Sequence, residues 1–594
     1  MSNAAGPGEK LNPWLVLGVF AIGAVIVSLR TMSGAEPTLF LSADDAMRMV
    51  VVRDFLAGQG WYDLTQYRMN TPFGAEVHWS RLVDVPIAAL VLLGRTMFGT
   101  GGEAFAGIAW PLMLLGVLLW LSAKLALRFV TPGRVLPALI LPLLSPAITG
   151  EFAPGRIDHH TVQVILTLAI AYAAIVSLDR PAFSWLAGVL CATAIAIGIE
   201  ALPTVVAAIL VYGLIWIFDI LRARQVRGFG LAFAGASLVH LAIALPPGRW
   251  LEPACDMISA VYVTSAVLVG VVLTGLTLVP MSGRWGVRLG VGIVAGGLCL
   301  AVVALLFPAC LGGPYAGLDP WLRTTWIDAI AEARPWSTSL ADLPAFTLAI
   351  GLPVVLGLAV ILYRVITRAQ DRGAWLVLGA FLLVATLVMA VQVRGARLAI
   401  MPAIAAATWA IAEFEAGYRA RRGLGSALGL AGSWGAFAGV LVMLAATGIV
   451  ALEPGRAQTR AVARADRAEC LQPAAFADLA GLAPERIMAP IDLGAHMLLE
   501  TGHAVVAAPY HRNGDGVRDA FDFFNMPIEA ARAILTERGI GLVVTCPAMP
   551  EMAGLPDADA GSFVRRAEAG TLPDWLDEVS VGGPLKIYSV VPER

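Results

Sequence analysis

Thirteen apolar runs decide what this chain can become. They lie at about residues 13–30, 105–129, 134–149, 160–178, 182–199, 201–221, 228–246, 256–280, 286–308, 344–366, 374–391, 396–414 and 427–451. Each approaches the ~20 residues a helix needs to cross a hydrocarbon core, although 134–149 is short. Of the 594 residues, 58% are hydrophobic and only 14% charged, with a mean hydropathy of +0.76. A water-soluble chain of that length exposes far more charge. The fold class expected is a polytopic α-helical membrane protein of about 13 transmembrane helices with a C-terminal extracytoplasmic α/β domain. A formal net charge of −2 gives no reason to expect a nucleic-acid partner.

Loop charges orient the bundle. Lys124/Arg128/Arg134, Asp179/Arg180, Arg222/Arg224/Arg227, Arg284/Arg288, Arg364/Arg368/Arg372 and Arg419/Arg421/Arg422 should face the cytoplasm. That requires a cytoplasmic N-terminus. It also requires that a further apolar stretch, 84–98, lie flat or dip into the outer face, since a full crossing there would turn every later basic loop outward. The apolar segment 15–29 is read as the first span, because no convincing small-residue cleavage site follows it. The extracytoplasmic side then holds the loops 31–104 and 309–343 and everything after 452. Two domains are expected, 1–452 in the membrane and 453–594 outside it. In the second, Pro and Gly punctuate β-like runs at 486–491, 504–508, 541–546 and 585–591, with a helical pattern at 527–538.

The six cysteines (Cys191, Cys255, Cys299, Cys310, Cys470 and Cys546) show no C-x-x-C spacing, so a structural zinc site is not expected. Cys470 and Cys546 are the cysteines of the C-terminal domain. They either bridge or stay as buried thiols, and the thiols are preferred because spacing does not show proximity.

The residues that carry chemistry stand in the outer loops. Gly155-Arg156-Ile157-Asp158-His159-His160 puts a carboxylate, two imidazoles and a guanidinium at a membrane boundary, where ionisable groups are costly unless paired, metal-bound or wet. Asp158 and His160 would hold a divalent cation through an oxygen and a nitrogen; alternatively Asp158 caps the following helix. Ser42-Ala43-Asp44-Asp45 presents two adjacent carboxylates, which repel unless a cation or proton intervenes; a helix cap is again the rival. Glu76-Val77-His78-Trp79-Ser80-Arg81 reads as an interfacial aromatic anchor in preference to a substrate wall. Glu332 lies three residues before Pro335, in a loop where it forms an ordinary pair with an arginine or closes over a site. Arg394 and Arg397 interrupt apolar sequence near the outer end of a span. A lipid phosphate or pyrophosphate would satisfy such a guanidinium, as would Glu332 or an Asp. In the C-terminal domain, a polar cluster including Tyr510, His511 and Arg512 follows a β-like run, where sheets commonly present ligand residues.

In order and sidedness these motifs resemble the catalytic subunit of oligosaccharyltransferase, within the GT-C glycosyltransferases. Asp45 matches that family's first-loop Asp, and Asp158 with His160 its Asp-x-His form. Ile330-Ala331-Glu332-Ala333-Arg334-Pro335 matches the later Glu motif, and Arg394 or Arg397 the arginine that holds the donor phosphate. The resemblance implies Mg²⁺ or Mn²⁺ held by Asp45, Asp158 and His160, with Asp45, Asp158 and Glu332 as the catalytic set. It implies a polyprenyl-(pyro)phosphate-linked sugar donor drawn from membrane lipid. It also implies a multi-pass protein of the bacterial plasma (inner) membrane with a periplasmic C-terminal domain. The family's Trp-Trp-Asp-Tyr-Gly acceptor motif is absent. Ile491-Asp492-Leu493-Gly494 is its nearest local match, so Asp492, His511 and Arg512 are the acceptor-binding candidates, and the acceptor (protein, lipid or glycan) is left open. A transporter or flippase of lipid-linked glycans, or a non-catalytic assembly protein, is the alternative.

Overall fold

Backbone N–H and C=O groups in hydrocarbon must be satisfied within their own segment, so every apolar run should be helical. All thirteen are. The protein is described from a computed structural model covering residues 11–32, 39–279, 281, 284–450, 466–580 and 582–591. The first half comprises α1 (Pro13–Met32), α2 (Ala43–Leu56), the short strands β1 (Thr65–Gln66) and β2 (Ala75–Glu76), α3 (Arg81–Phe98), α4 (Gly102–Ala126), α5 (Leu136–Leu143), α6 (Pro146–Thr149), α7 (His160–Ser177) and α8 (Ala182–Ile197). There follow α9 (Leu202–Phe218), α10 (Ala223–Ala244), α11 (Ala260–Leu278), α12 (Trp285–Leu306), α13 (Pro320–Thr325), α14 (Trp336–Asp342), α15 (Pro344–Ile366), α16 (Arg372–Val391), α17 (Ala396–Arg421), α18 (Leu424–Phe437) and α19 (Gly439–Val450).

Among the described residues, nine helical stretches are long and apolar enough to cross a membrane, or ten if α18 and α19 form one span bent by 88°. Three further runs give the shorter apolar helices at 13–29, 132–143 and 182–197. The run at 134–149 breaks into α5 and α6 at Ser145-Pro146, because proline cannot donate to the preceding turn. α3 does not continue into α4. A turn at Gly99–Gly101 doubles it back, and Gly94 and Gly102 meet so closely that a Cβ on Gly94 would lie 2.9 Å from the Gly102 Cα. Both ends of α3 are tied to α2, by Arg48–Asp84 near the start and by Glu103, held by both Arg53 and Arg95, beyond the finish.

α17 stands at the centre of the bundle, with buried residues along most of its length, whereas α12 buries only Arg288 among its described residues. α17 is enclosed by protein from Ala396 to Ala412, whereas α12 leaves most of its surface open.

The C-terminal domain carries a five-stranded sheet built from β3 (Arg486–Met488), β4 (Ala504–Val505), β5 (Leu542–Thr545), β6 (Leu576–Glu578) and β7 (Lys586–Val590). The order is β4-β3-β5-β7-β6, with β4, β3 and β5 parallel and β7 and β6 antiparallel. The expected boundary at 452/453 lies outside the described residues. The open edge at β4 is covered by the segment between α2 and α3: the Val505 N–H donates to the Arg68 carbonyl (2.8 Å) and the Thr71 N–H to the Val505 carbonyl (3.1 Å). The Arg68 guanidinium donates to the carbonyls of Leu498 (2.8 Å) and Thr501 (2.9 Å). An unpaired edge is thereby converted into a docking seam.

Two disulfides change the reading of the cysteines. Cys470 and Cys546 are bridged, with α-carbons 6.2 Å apart, so the preference for two buried thiols is overturned; the fold brings the segment before β3 back to the end of β5. Cys255 and Cys310, 5.2 Å apart, clip the connection before α11 to the loop after α12. Nothing in the spacing announced that second bridge.

Candidate functional site

The loop between α6 and α7 is placed by Gly155. Its φ of 90° is left-handed, and a Cβ there would lie 2.9 Å from the Phe40 nitrogen, so only glycine lets the loop pass this close to the 39–40 backbone. The Gly155 N–H donates to the Gly107 carbonyl at 2.8 Å. The loop then lays its amides over the start of α2. Asp45 Oδ1 accepts from the N–H groups of Ile157 (2.8 Å) and Asp158 (3.0 Å), and Oδ2 accepts from Arg156 (2.7 Å).

This geometry corrects the expected role of Asp45. Both its oxygens are engaged in holding the loop, it is fully buried, and it does not reach the cavity wall. Its neighbour does. Successive helical positions point about 100° apart, and Asp44 is the carboxylate that lines the cavity, with the Tyr510 hydroxyl 3.5 Å from Oδ1. Burial raises the Asp44 pKa, and the Asp158 and Asp45 carboxylates raise it further against the opposing His159.

Asp158 sits behind the same wall. Its Oδ1 accepts from the His159 N–H (2.6 Å) and lies 2.5 Å from His159 Nδ1. Its Oδ2 is buried, accepts no hydrogen bond, and lies 3.2 Å from His160 Nε2. Burial alone would raise this carboxyl; the imidazoles of His159 and His160, then Arg48, hold it well below the usual range. Arg48 is itself fully buried, bonded to Asp84 at 2.8 Å, with its guanidinium 4.1 Å above the Trp79 ring. Its second nitrogen lies 3.2 Å from His159 Nδ1 and 3.5 Å from Asp158 Oδ1, and the carboxylate is the acceptor we assign. An orphaned carboxylate oxygen beside a ring nitrogen is a donor set that suits a divalent cation.

From Asp45 an alternating chain of charge crosses the site: Asp45–Arg156 (2.7 Å), Arg156–Glu151 (3.0 Å), Glu151–Arg397 (3.4 Å) and Arg397–Glu332. Arg397 is thus engaged by two carboxylates, the alternative to a donor phosphate that its sequence position left open. Arg394 is different. Both arginines line the cavity, but Arg394 has only Gln392 Oε1 on its Nε (3.0 Å), and the described residues give it no carboxylate. The arginine paired with Glu332 is thus Arg397, while the nearby Arg334 bonds Asp342 at 3.0 Å.

A second cluster closes the other flank. His511 Nε2 lies 2.7 Å from Asp256 Oδ2, and Arg512 grips both Asp256 oxygens at 2.7 Å while also bonding Glu76 at 2.7 Å. Burial alone would raise Asp256, but the hydrogen bonds from Arg512 and His511 hold it well below the carboxylate range. The His78 ring faces His511 at 4.7 Å, and burial pushes its imidazole down to about 3, so it is neutral. Trp79 is 4% exposed, wedged between Arg48 and Tyr510 (5.3 Å). It is a wall of the site and not an interfacial anchor. Asp492 is also elsewhere: it begins the helix Ile491–Glu500, pairs with Arg467, and does not line the cavity. Of the acceptor candidates only His511 faces the cavity; Arg512 serves as a clamp.

The cavity itself has a volume of ≈ 1090 Å³. Its polar head gathers Asp44, His160, Glu200, Glu332, Arg394 and His511, and its apolar limb runs between α9, α11 and α12, past Leu210, Leu214, Val269 and Leu300. Glycines 292, 296 and 297 of α12 widen that limb. Sequence reading missed Glu200, His159, Arg48, Glu151 and Asp256. Glu200 and Asp256 carried a visible signal, each being an acid at the mouth of an apolar run; Arg48 and Glu151 carried none.

No protein-family model and no curated protein matches the chain. Solved structures do match its fold. The oligosaccharyltransferase AglB of Archaeoglobus fulgidus, in complex with an inhibitory peptide and a dolichol-phosphate, superposes with a TM-score of 0.68 at 12% identity, over 92% of this chain and 70% of that one. The same archaeal enzyme tethered to an acceptor peptide containing the NVT sequon gives 0.61 at 14% identity, over 98% and 74%. Its complex with Zn and sulfate gives 0.58 at 12% identity, over 97% and 74%. The chain shares the fold of this archaeal oligosaccharyltransferase.

Proposed function

We propose that this chain is a GT-C glycosyltransferase that moves a sugar or oligosaccharide from a polyprenyl-(pyro)phosphate carrier to an acceptor on the extracytoplasmic side of a bacterial plasma membrane. One observation carries the reading: a polar head holding Asp44, His160, Glu332 and Arg394 opens directly into an apolar limb between α9, α11 and α12. A polyprenyl chain with a phosphate at one end has that polarity. The fold neighbour captured with a dolichol-phosphate adds support from the same architecture.

Each residue then has a task. Arg394 meets the phosphate, because it is the cavity guanidinium with no carboxylate of its own among the described residues. Asp158 and His160 would hold a Mg²⁺ or Mn²⁺. A divalent ion there supplies Lewis-acid neutralisation of the charge that develops on the leaving phosphate. Asp44 is placed to orient the acceptor's nucleophile, next to Tyr510, whose hydroxyl donates to the Ala43 carbonyl (3.0 Å). Glu332, held by Arg397, covers the head from the loop 309–343. The two disulfides fit an oxidising compartment for the face on which all these loops meet.

The test is a comparison of polyprenyl-linked glycans between a deletion strain and its complemented parent. A polyprenyl-linked sugar should accumulate on deletion, disappear with the intact gene, and persist with Asp158→Asn. An unchanged lipid-linked pool, or full rescue by Asp158→Asn, overturns the reading.

A further inference from the structure

We infer that His78, Asp256 and His511 form a second divalent-metal site, of the kind that takes zinc, separate from the Asp158 cluster and serving to clamp the C-terminal domain over the mouth of the cavity. One ligand atom from each of the three residues can be chosen so that all lie within 4.8 Å of one another. They come from three distant segments: the stretch before α3, the connection before α11, and the C-terminal domain. Two imidazoles and a carboxylate are a ligand set that zinc accepts, with water completing the shell.

The detailed bonding favours an ion here. His78 makes no side-chain hydrogen bond among the described residues, although it lines the cavity, so its lone pair is unspent. His511 Nε2 and Asp256 Oδ2 stand 2.7 Å apart with one proton between them. Entry of the ion breaks this hydrogen bond: the Nε2 proton moves to Nδ1 of the same ring, so that neutral Nε2 and the Asp256 carboxylate both face an ion set to one side of the line between them, about 2.0 Å from each. Arg512 already holds Asp256 from behind through Nε and Nη2, the outer hydrogen bonding that fixes a metal-binding carboxylate in place. Charge permits it as well. Three carboxylates (Glu76, Asp256, Glu252) face two guanidinium groups (Arg249, Arg512), leaving the surroundings net negative.

A second, independent feature marks the same place for cross-linking. Cys255, adjacent to Asp256, is bridged to Cys310 in the loop after α12. The metal would extend that covalent clip to the first outer loop and to the C-terminal domain. It would stand next to the Asp158 cluster with Trp79 between, the Trp79 and His159 rings being 6.1 Å apart.

The experiment uses the full-length protein in detergent, stripped with EDTA and then given Co²⁺ or Zn²⁺ alone, with Asp158→Asn/His160→Gln to remove the first cluster. That variant should still bind one equivalent of metal, and its Co²⁺ form should show the intense visible bands of a low-coordinate site. Adding His511→Gln or, on a different segment, His78→Gln should lower the affinity at least tenfold. X-ray absorption at the metal edge gives a reading that needs no further substitution, and should show scattering from imidazole rings. No binding by the Asp158→Asn/His160→Gln protein, unchanged binding after both histidine substitutions, or an edge spectrum without imidazole overturns the inference. None of these readouts depends on glycosyl transfer, so the proposed function could fail while this site stands.

Discussion

Two carboxylates at the cavity, Asp158 behind its wall and Asp256 on it, each lie between imidazoles and a guanidinium, yet their surroundings leave them in opposite conditions. Asp256 has both oxygens taken by Arg512 and one of them also by His511. Asp158 has one oxygen crowded by His159 and Arg48 and the other, Oδ2, buried with no hydrogen bond. A buried orphaned oxygen costs about 1–3 kcal/mol, so its retention points to a ligand that satisfies it in the working protein. The difference separates a group arranged to hold structure together from a group kept available for chemistry. Asp45 and Asp44 repeat the lesson one residue apart: the first is consumed by Arg156 and two amides, the second is left to the cavity.

The largest effect should come from removing the support beneath the open cluster. Arg48→Met strands Asp84 and weakens the hold on Asp158 in a fully buried site, and breaking a buried pair costs about 3–5 kcal/mol. Thermal unfolding in detergent should record it; a variant as stable as the parent would mean that Arg81, 3.4 Å from Asp84, carries the pair alone. Next comes Asp158→Asn itself. It should lower transfer by about 10²–10³-fold, with a smaller loss of stability as Arg48 and His159 lose their anionic partner. The matching change at the clamp, Arg512→Gln, should show the reverse pattern. Hydrogen bonds to charged groups contribute about 1.5–3 kcal/mol, so a loss of about 2 kcal/mol in stability is expected, with faster proteolysis of the C-terminal domain.

The smallest effect sharpens the comparison with a third acidic pair. Burial, then Asp492, pushes Glu551 up to about 7. Its folded pKa stands above the unfolded value near 4.5, so below pH 4.5 both states hold the proton and no penalty arises. Between pH 4.5 and 7 the unfolded state ionises first and stability falls; above about 7 the full penalty is present. Glu551→Gln should therefore stabilise the protein measurably at pH 8 and by nothing at pH 4. A gain that is equal at both pH values would show that packing, not ionisation, is what changed.

Much of the site was legible as motifs and much less as geometry. Asp158, His160, Glu332 and the arginine pair could be found because charge is conspicuous between apolar runs. Choosing between Asp44 and Asp45, or between Arg394 and Arg397, could not be done that way. Neighbouring residues on a helix face different partners, and the partners (Arg156, Glu151, Glu332) come from other segments. The anchor reading of Trp79 failed for the same reason: a tryptophan at a membrane boundary has the composition of an anchor, and only Arg48 above its ring makes it a wall. The β-like runs fared well at 486–488, 504–505, 542–545 and 586–590, but Ile491 opened a helix and the strand Leu576–Glu578 was not foreseen.

The chain's own order of residues determined the membrane class, the helices and the gathering of its acidic loops toward one face. Hydrophobic length and loop charge are local quantities, and each can be read without knowing what lies opposite. The tertiary structure decided which carboxylates are spent and which stay open, which cysteines bridge, and that His78, Asp256 and His511 meet at all. Those outcomes depend on distances between segments up to several hundred residues apart, and proximity of that kind is created by packing and leaves no periodic trace in the sequence.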